Sequence, residues 1–359
     1  MNYFRIASKL FFRKNSLPVY LILFVTNQCN ARCSHCFYLK KINQPSQELK
    51  LDELIKISKN LKSVEHLSIT GGEPFIREDL FAIIQTFYEC SKIRSINLST
   101  NGLLSDKIFT IVRRVLEACP ELNLQVTISI DGIGAQHDEI RGVAGVFSKA
   151  TETIEKLKII INKNLQIAVN TTLTEKNYKN IQKTYFYIRD VIQPDSFFPL
   201  LIRGDVKKAE SEKNIHDAYK KLVFLWEQDM KTGHGLGYKK RLFSSYLNAR
   251  DMLSRKLVLD IIGGKNKQHI NCLAGNLTGV MYENGDVSAC EVKDLKMGNI
   301  READYQLEKV WFSQEAVQIK KWIKQNKCFC THEGFLNLNI VFNPQVVFRL
   351  LKEWLKLIY

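Results

Sequence analysis

A chain of 359 residues that is 45% hydrophobic and 25% charged has enough apolar material for a large core and is neither disordered nor fibrous in composition. Lys plus Arg outnumber Asp plus Glu by 52 to 37, which suits an acidic partner as readily as a solvated basic surface. Nine cysteines are an odd count for a closed disulfide framework. They point to metal or catalytic use in a reducing compartment. With no cleavable apolar leader and no run of about eighteen apolar residues, the expected location is cytoplasmic.

Residues 1–17 place Arg5, Lys9 and Arg13 opposite Phe4, Ala7 and Phe11. This basic amphipathic segment suits packing on its own domain or contact with an anionic membrane surface on its inner face. Over 18–205, apolar strand-like runs alternate with segments of helical period, the pattern of βαβ units and a parallel sheet. Six strands are predicted: Val19 to Thr26, Glu65 to Thr70, Arg94 to Ser99, Leu124 to Ile130, Leu165 to Leu173 and Asp195 to Ile202. LDELIKISKNL and DLFAIIQTFYEC are among the intervening helices. The strands end in CNARCSHC, GGEP, TNG and DG, loops that should face one site at the carboxyl edge.

Cys29, Cys33 and Cys36 follow the first strand with spacing C-x3-C-x2-C. Three thiolates in so short a loop select zinc or an iron-sulfur cluster. Structural zinc needs a fourth ligand, and His35, adjacent to Cys36, converges awkwardly. Three ligands on a [4Fe-4S] cluster leave one iron open to a small molecule.

Beyond 205, helices are expected at Glu210 to Lys231 and Lys239 to Lys256 within a helical connection, 206–268. In 269–335, Asn284-Gly285 marks a hairpin between two alternating runs. Cys272 and Cys290 bracket it, a helix runs around Trp311 to Ile323, and Cys328 and Cys330 follow. A C-terminal amphipathic helix occupies 336–359. Cys90 and Cys119 fall at helix ends, away from any motif.

The succession CNARCSHC, GGEP, STNG and SIDG resembles the radical S-adenosylmethionine (SAM) superfamily, and the cysteines of 269–335 resemble its SPASM and twitch extensions. The resemblance implies an α/β fold: a partial (β/α)6 TIM-like barrel with a small C-terminal extension. It implies that Cys29, Cys33 and Cys36 hold a [4Fe-4S] cluster whose open iron takes SAM. It further implies that His35 lies against adenine and that Gly71, Gly72 and Glu73 meet the SAM amino group. Ser99, Asn101, Ser129 and Asp131 sit where the family contacts ribose and carboxylate, and Arg141 and Arg203 are candidate carboxylate partners. Cys272, Cys290, Cys328 and Cys330 allow one auxiliary [4Fe-4S] cluster, with His332 as a substitute ligand or an orienting partner.

The implied chemistry is reductive cleavage of SAM and hydrogen abstraction by a 5′-deoxyadenosyl radical. The auxiliary cluster would act as electron relay in a net oxidation or epimerisation of a sugar, polyol or other small metabolite. Asp131, Glu291 and Asp205 are the candidate bases, chosen by position. Maturation of a ribosomally made peptide is the rival reading, and a non-catalytic iron-sulfur scaffold or electron carrier is the third. A reductase or a flavodoxin- or ferredoxin-type donor is the expected partner, and no specific nucleic acid is expected.

Overall fold

The run YLILF forms β1 (Tyr20–Phe24), buried along nearly its whole length. Such a continuous apolar run is what a strand covered on both faces requires. The computed structural model describes residues 17–61, 63–203, 209–238, 244–264, 270–293, 295–328 and 330–357, with backbone alone for 209–212 and 344. The N-terminal amphipathic pattern through residue 16 and the candidate base Asp205 lie outside the described residues.

Five further parallel strands follow: β2 (His66–Thr70), β3 (Ser95–Thr100), β4 (Asn123–Ser129), β5 (Leu165–Leu173) and β6 (Ser196–Leu201). The helices of this half are α1 (Leu51–Asn60), α2 (Leu80–Cys90), α3 (Ser105–Ala118), α4 (Ala135–Arg141), α5 (Val146–Lys158) and α6 (Ile181–Tyr187). In α3, Ile108, Ile111, Val112, Val115 and Leu116 are buried, a stripe at helical spacing that docks on the sheet.

The second half holds α7 (Ala209–Lys231), α8 (Ser244–Ile262), β7 (Thr278–Met281), β8 (Asp286–Ser288), β9 (Lys296–Asn299), α9 (Leu307–Trp311), α10 (Gln314–Gln325), α11 (Glu333–Val341) and α12 (Pro344–Leu355). The helix expected around Trp311 to Ile323 is two helices. Phe312 ends the first and Ser313 caps the second, the Ser313 hydroxyl accepting from Ala316 N at 3.1 Å.

The cysteine-bearing hairpin does not form a sheet of its own. β7 pairs parallel with β1, Ile22 opposite Val280, giving one nine-stranded sheet in the order β6-β5-β4-β3-β2-β1-β7-β8-β9. The region expected over 269–335 is therefore joined to the barrel by backbone hydrogen bonds between β7 and β1.

The two faces of the parallel strands differ in chemistry. Leu67, Ile69, Ile96, Leu98, Leu124, Val126 and Ile128 are buried in the core with the helices. The alternate residues Ser68, Asn97, Ser99, Gln125 and Thr127 face a lumen of about 710 Å³ lined by side chains from all of β1–β6. The barrel is partial, since β6 and β1 do not pair. α8 and α11 supply the remaining wall through Arg250, Asp251, Arg255, Asn337 and Leu338. Among the described residues, no helix is long and apolar enough to cross a membrane.

Trp311 is fully buried, and a Cβ on Gly279 of β7 would lie 2.7 Å from its ring. Trp311→Ala is expected to cost about 3–5 kcal/mol, read as a lower denaturation midpoint.

Candidate functional site

The cysteine loop leaves β1 and is pinned from several directions. Asn27 donates to Lys41 O (3.0 Å) and Gln44 O (2.7 Å). Asn43 accepts from Cys29 N (2.8 Å) and donates to Cys29 O (3.0 Å). The far side of the loop hydrogen-bonds the end of α4, from Arg32 N to Arg141 O and from Ser34 N to Ile140 O.

Gly71 and Gly72 lock this loop to the end of β2. A Cβ on Gly71, whose φ is +149°, would lie 2.2 Å from Thr26 O, and one on Gly72 would lie 2.2 Å from Gln28 O. The glycines are thus required by one loop's close approach to another, a reason distinct from ligand clearance. Gly72 N donates to Thr26 O and Glu73 N to Gln28 O, each at 2.8 Å.

Glu73 carries the lock to the next loop. Its carboxylate accepts from Thr100 Oγ1 (2.9 Å), Asn101 N (2.8 Å) and Phe75 N (3.2 Å). Asn101 is also committed: its amide donates to Asn30 and its oxygen accepts from Leu103 N, a turn-forming role.

A cavity of about 230 Å³ gathers Cys29, Cys33, His35, Cys36, Gly71, Gly72, Glu73, Ser99, Asn101, Ser129 and Arg141. It shares Phe37, Thr70, Ser99, Asn170, Leu200 and Arg203 with the lumen, so the two are continuous. Thr70, Asn170, Thr172 and Leu200 are walls that motif spacing does not reveal.

Asp131 is fully buried and bridges Arg141 at 2.6 Å, with His35 Nε2 3.6 Å away. Burial pushes its carboxyl up, but Arg141, His35 and His137 hold it below the usual carboxylate range. It lines neither cavity described here, and a carboxylate held ionised is a weak proton acceptor. The structure makes Asp131 a fixed counter-ion. Arg141 correspondingly has its carboxylate partner within the protein, and its Nη1 donates to Cys33 Sγ at 3.5 Å. Burial lowers His35 to about 4, which keeps its ring neutral.

Cys272, Cys290, Cys328 and Cys330 come together in the second half. The Cys272 thiol is hydrogen-bonded to Cys328, and Cys330 acts electrostatically on Cys272 and is itself acted on by Cys290 and Cys328. That hydrogen bond favours the Cys328 thiolate, as does nearby Lys293. His332 is not free to replace a thiolate. Its Nε2 pairs with Glu291, and its Nδ1 accepts from Phe335 N as the cap of α11. Glu291 also holds Arg203 at 3.1 Å, and Arg203 holds Glu333 at 2.6 Å. Burial pushes Glu291 up, but His332 and Arg203 keep it below the usual range. As a base it shares the weakness of Asp131. Cys90, half-buried, and Cys119, buried, sit at the ends of α2 and α3 and line neither cavity.

Both thiol sets fit iron-sulfur ligation. Burial pushes Cys29 to about 11 and raises Cys36, so bound metal charge is what would hold them as thiolates. Among the described residues no group of three His, Cys, Asp or Glu forms a single-ion site.

Residues 23–188 match the family model of the radical SAM superfamily, and residues 272–332 match that of SPASM, an iron-sulfur cluster-binding domain. The chain belongs to the radical SAM superfamily. SAM and iron-sulfur clusters are the cofactors of such a radical SAM/SPASM chain. It is 26% identical over 305 residues to an AdoMet-dependent heme synthase of Methanosarcina barkeri, covering 81% of each. Two solved structures share the fold. The first is anSMEcpe with bound AdoMet and the Cp18Cys peptide (17% identity, TM-score 0.61, 95% of this chain and 96% of that one). The second is SuiB of Streptococcus suis (18%, TM-score 0.57, 87% and 69%).

Gly72→Ala is expected to force the loop off Gln28, destabilising the protein by about 2–4 kcal/mol. Iron retained after reconstitution should fall with it. Burial pushes the Glu73 carboxyl up to about 7 from 4.5, so the folded state keeps a proton that the unfolded chain releases. Its stabilising contribution is complete below about pH 4.5 and is lost as pH rises through about 7. Glu73→Gln should remove this slope, worth up to about 3 kcal/mol, whatever its own midpoint. Thermal melts at several pH values across that window check it.

Proposed function

We propose that this radical SAM protein oxidises or epimerises a small polar molecule bound in the barrel lumen. The observation that carries this reading is the cavity of about 710 Å³ that is lined by hydroxyl, amide and charged groups beside an apolar part and shares wall residues with the cysteine mouth. Its size falls in the usual range for small-molecule sites. The similarity over most of the chain to a heme synthase, a protein named for a small-molecule product, supports the same class.

In this reading Cys29, Cys33 and Cys36 hold the SAM-binding cluster, and Cys272, Cys290, Cys328 and Cys330 hold an auxiliary one. The bound cofactors supply one-electron chemistry able to break an unreactive C–H bond. The chain's own residues do the positioning. Glu73 fixes the loops after β2 and β3, and the Asp131–Arg141 pair fixes the loop bearing Cys33. Ser99, Asn170 and Arg203 form the wall where cofactor pocket and lumen meet. Phe37 and Leu200 give that junction an apolar part, which limits water beside the reacting bond.

The test is anaerobic reconstitution with iron and sulfide, followed by SAM, dithionite and a panel of sugars, polyols, small acids and short peptides. Release of 5′-deoxyadenosine is measured. Release stimulated at least tenfold by a small polar compound, and absent when Cys29, Cys33 and Cys36 are all Ala, is the expected result. Stimulation by peptides alone would replace the small-molecule reading with peptide maturation. No release from a protein that retains iron and SAM would leave the scaffold reading.

A further inference from the structure

The carboxylates that face the lumen already have partners. Asp251 holds Arg250 at 2.6 Å, while Glu291 and Glu333 share Arg203. Arg255, one turn beyond Asp251 on α8, differs. It lines the lumen, is 2% exposed, and its Nε and Nη1 are buried without a hydrogen-bond partner. Among the described residues no carboxylate forms an ion pair with it.

The flanking rings of Phe198 and Trp226, each centred 5.9 Å from the guanidinium, favour a cation there but supply no acceptor. Two buried guanidinium nitrogens without an acceptor are costly. Asn337 of α11 adds a buried amide oxygen without a donor to the same wall.

We propose that Arg255 is the carboxylate-binding residue of the lumen and that the substrate is a small carboxylic acid, an inference that rests on the small-molecule reading above. A guanidinium N–H gives a carboxylate a strong charge-assisted hydrogen bond, and Nε and Nη1 of Arg255 each have one to offer. Charge selects the same partner. One carboxylate balances one buried cation, whereas a phosphate dianion would bring a second charge with no free cation described beside Arg255. Asn337 Oδ1 would then accept a hydrogen bond from a hydroxyl or ammonium group of the same molecule, holding it at two points.

The test is thermal unfolding of the anaerobic, reconstituted protein with SAM, at constant ionic strength, in lactate, lactamide or methyl phosphate. Lactate at tens of millimolar should raise the wild-type midpoint by about 2 °C or more, and lactamide and methyl phosphate should raise it less. Arg255→Met should abolish the lactate-specific shift while melting no lower than wild type, because it fills similar space without an unpaired charge. Three results would overturn the proposal: no lactate-specific shift in wild type, an equal shift in Arg255→Met, or an Arg255→Met protein that melts several degrees lower. No turnover enters the measurement, so its failure is separate from failure of the deoxyadenosine assay.

Discussion

The organisation of this protein depends on β1 being paired in parallel on both sides, with β2 and with β7. An apolar five-residue strand, YLILF, makes both pairings with little polar side chain to desolvate. Its carboxyl end delivers the loop of Cys29, Cys33 and Cys36. Cys290 follows Ser288, which pairs with Val280 beside Ile22, so it lies toward the amino end of β1. The two thiol sets thus flank one strand of about 13 Å, and their separation is set by backbone hydrogen bonds.

Around that strand, buried charge is used to fasten loops. Arg141 and Asp131 join α4 to the end of β4, and Arg203 joins the end of β6 to Glu291 and the first residue of α11. Pairs of this kind are a poor source of net stability, but removing one partner strands the other without water. They suit a partial barrel, where no strand pairing closes the gap between β6 and β1.

Much of this was legible in the residues. The six parallel strands lie where apolar runs place them, LQIAVNTTL over its full length, because strands buried in a parallel sheet leave a strong local signal. The loop motifs marked the residues that gather around one cavity for the same reason: they are short and tied to strand ends. Three features were not read. The alternation in HLSIT, SINLST and NLQVTIS announces one polar face, and with it a lumen; taken as simple strand signal, it passed unnoticed. EGFLNLNIV is apolar around most of its circumference, so the helix Glu333–Val341 shows little periodicity, and His332 was weighed as a ligand when it is that helix's cap. The pairing of Asp131 with Arg141, and of β7 with β1, depends on tertiary neighbours that spacing along the chain does not encode.

The inner face of the barrel also carries a ladder of side-chain hydrogen bonds across strands. Asn97 of β3 donates to Ser68 of β2 and accepts from Gln125 and Thr127 of β4 at 3.2 and 2.6 Å. The wall therefore holds its own shape and exchanges bonds with whatever fills it, water or ligand. A molecule entering this space meets both that ladder and the apolar side chains of Ile22, Phe37, Phe198, Leu200 and Leu338, so its binding should carry a negative heat-capacity change from the apolar part. The ladder's directional contacts are already in place, so discrimination follows the pattern of donors and acceptors on the ligand as well as its shape.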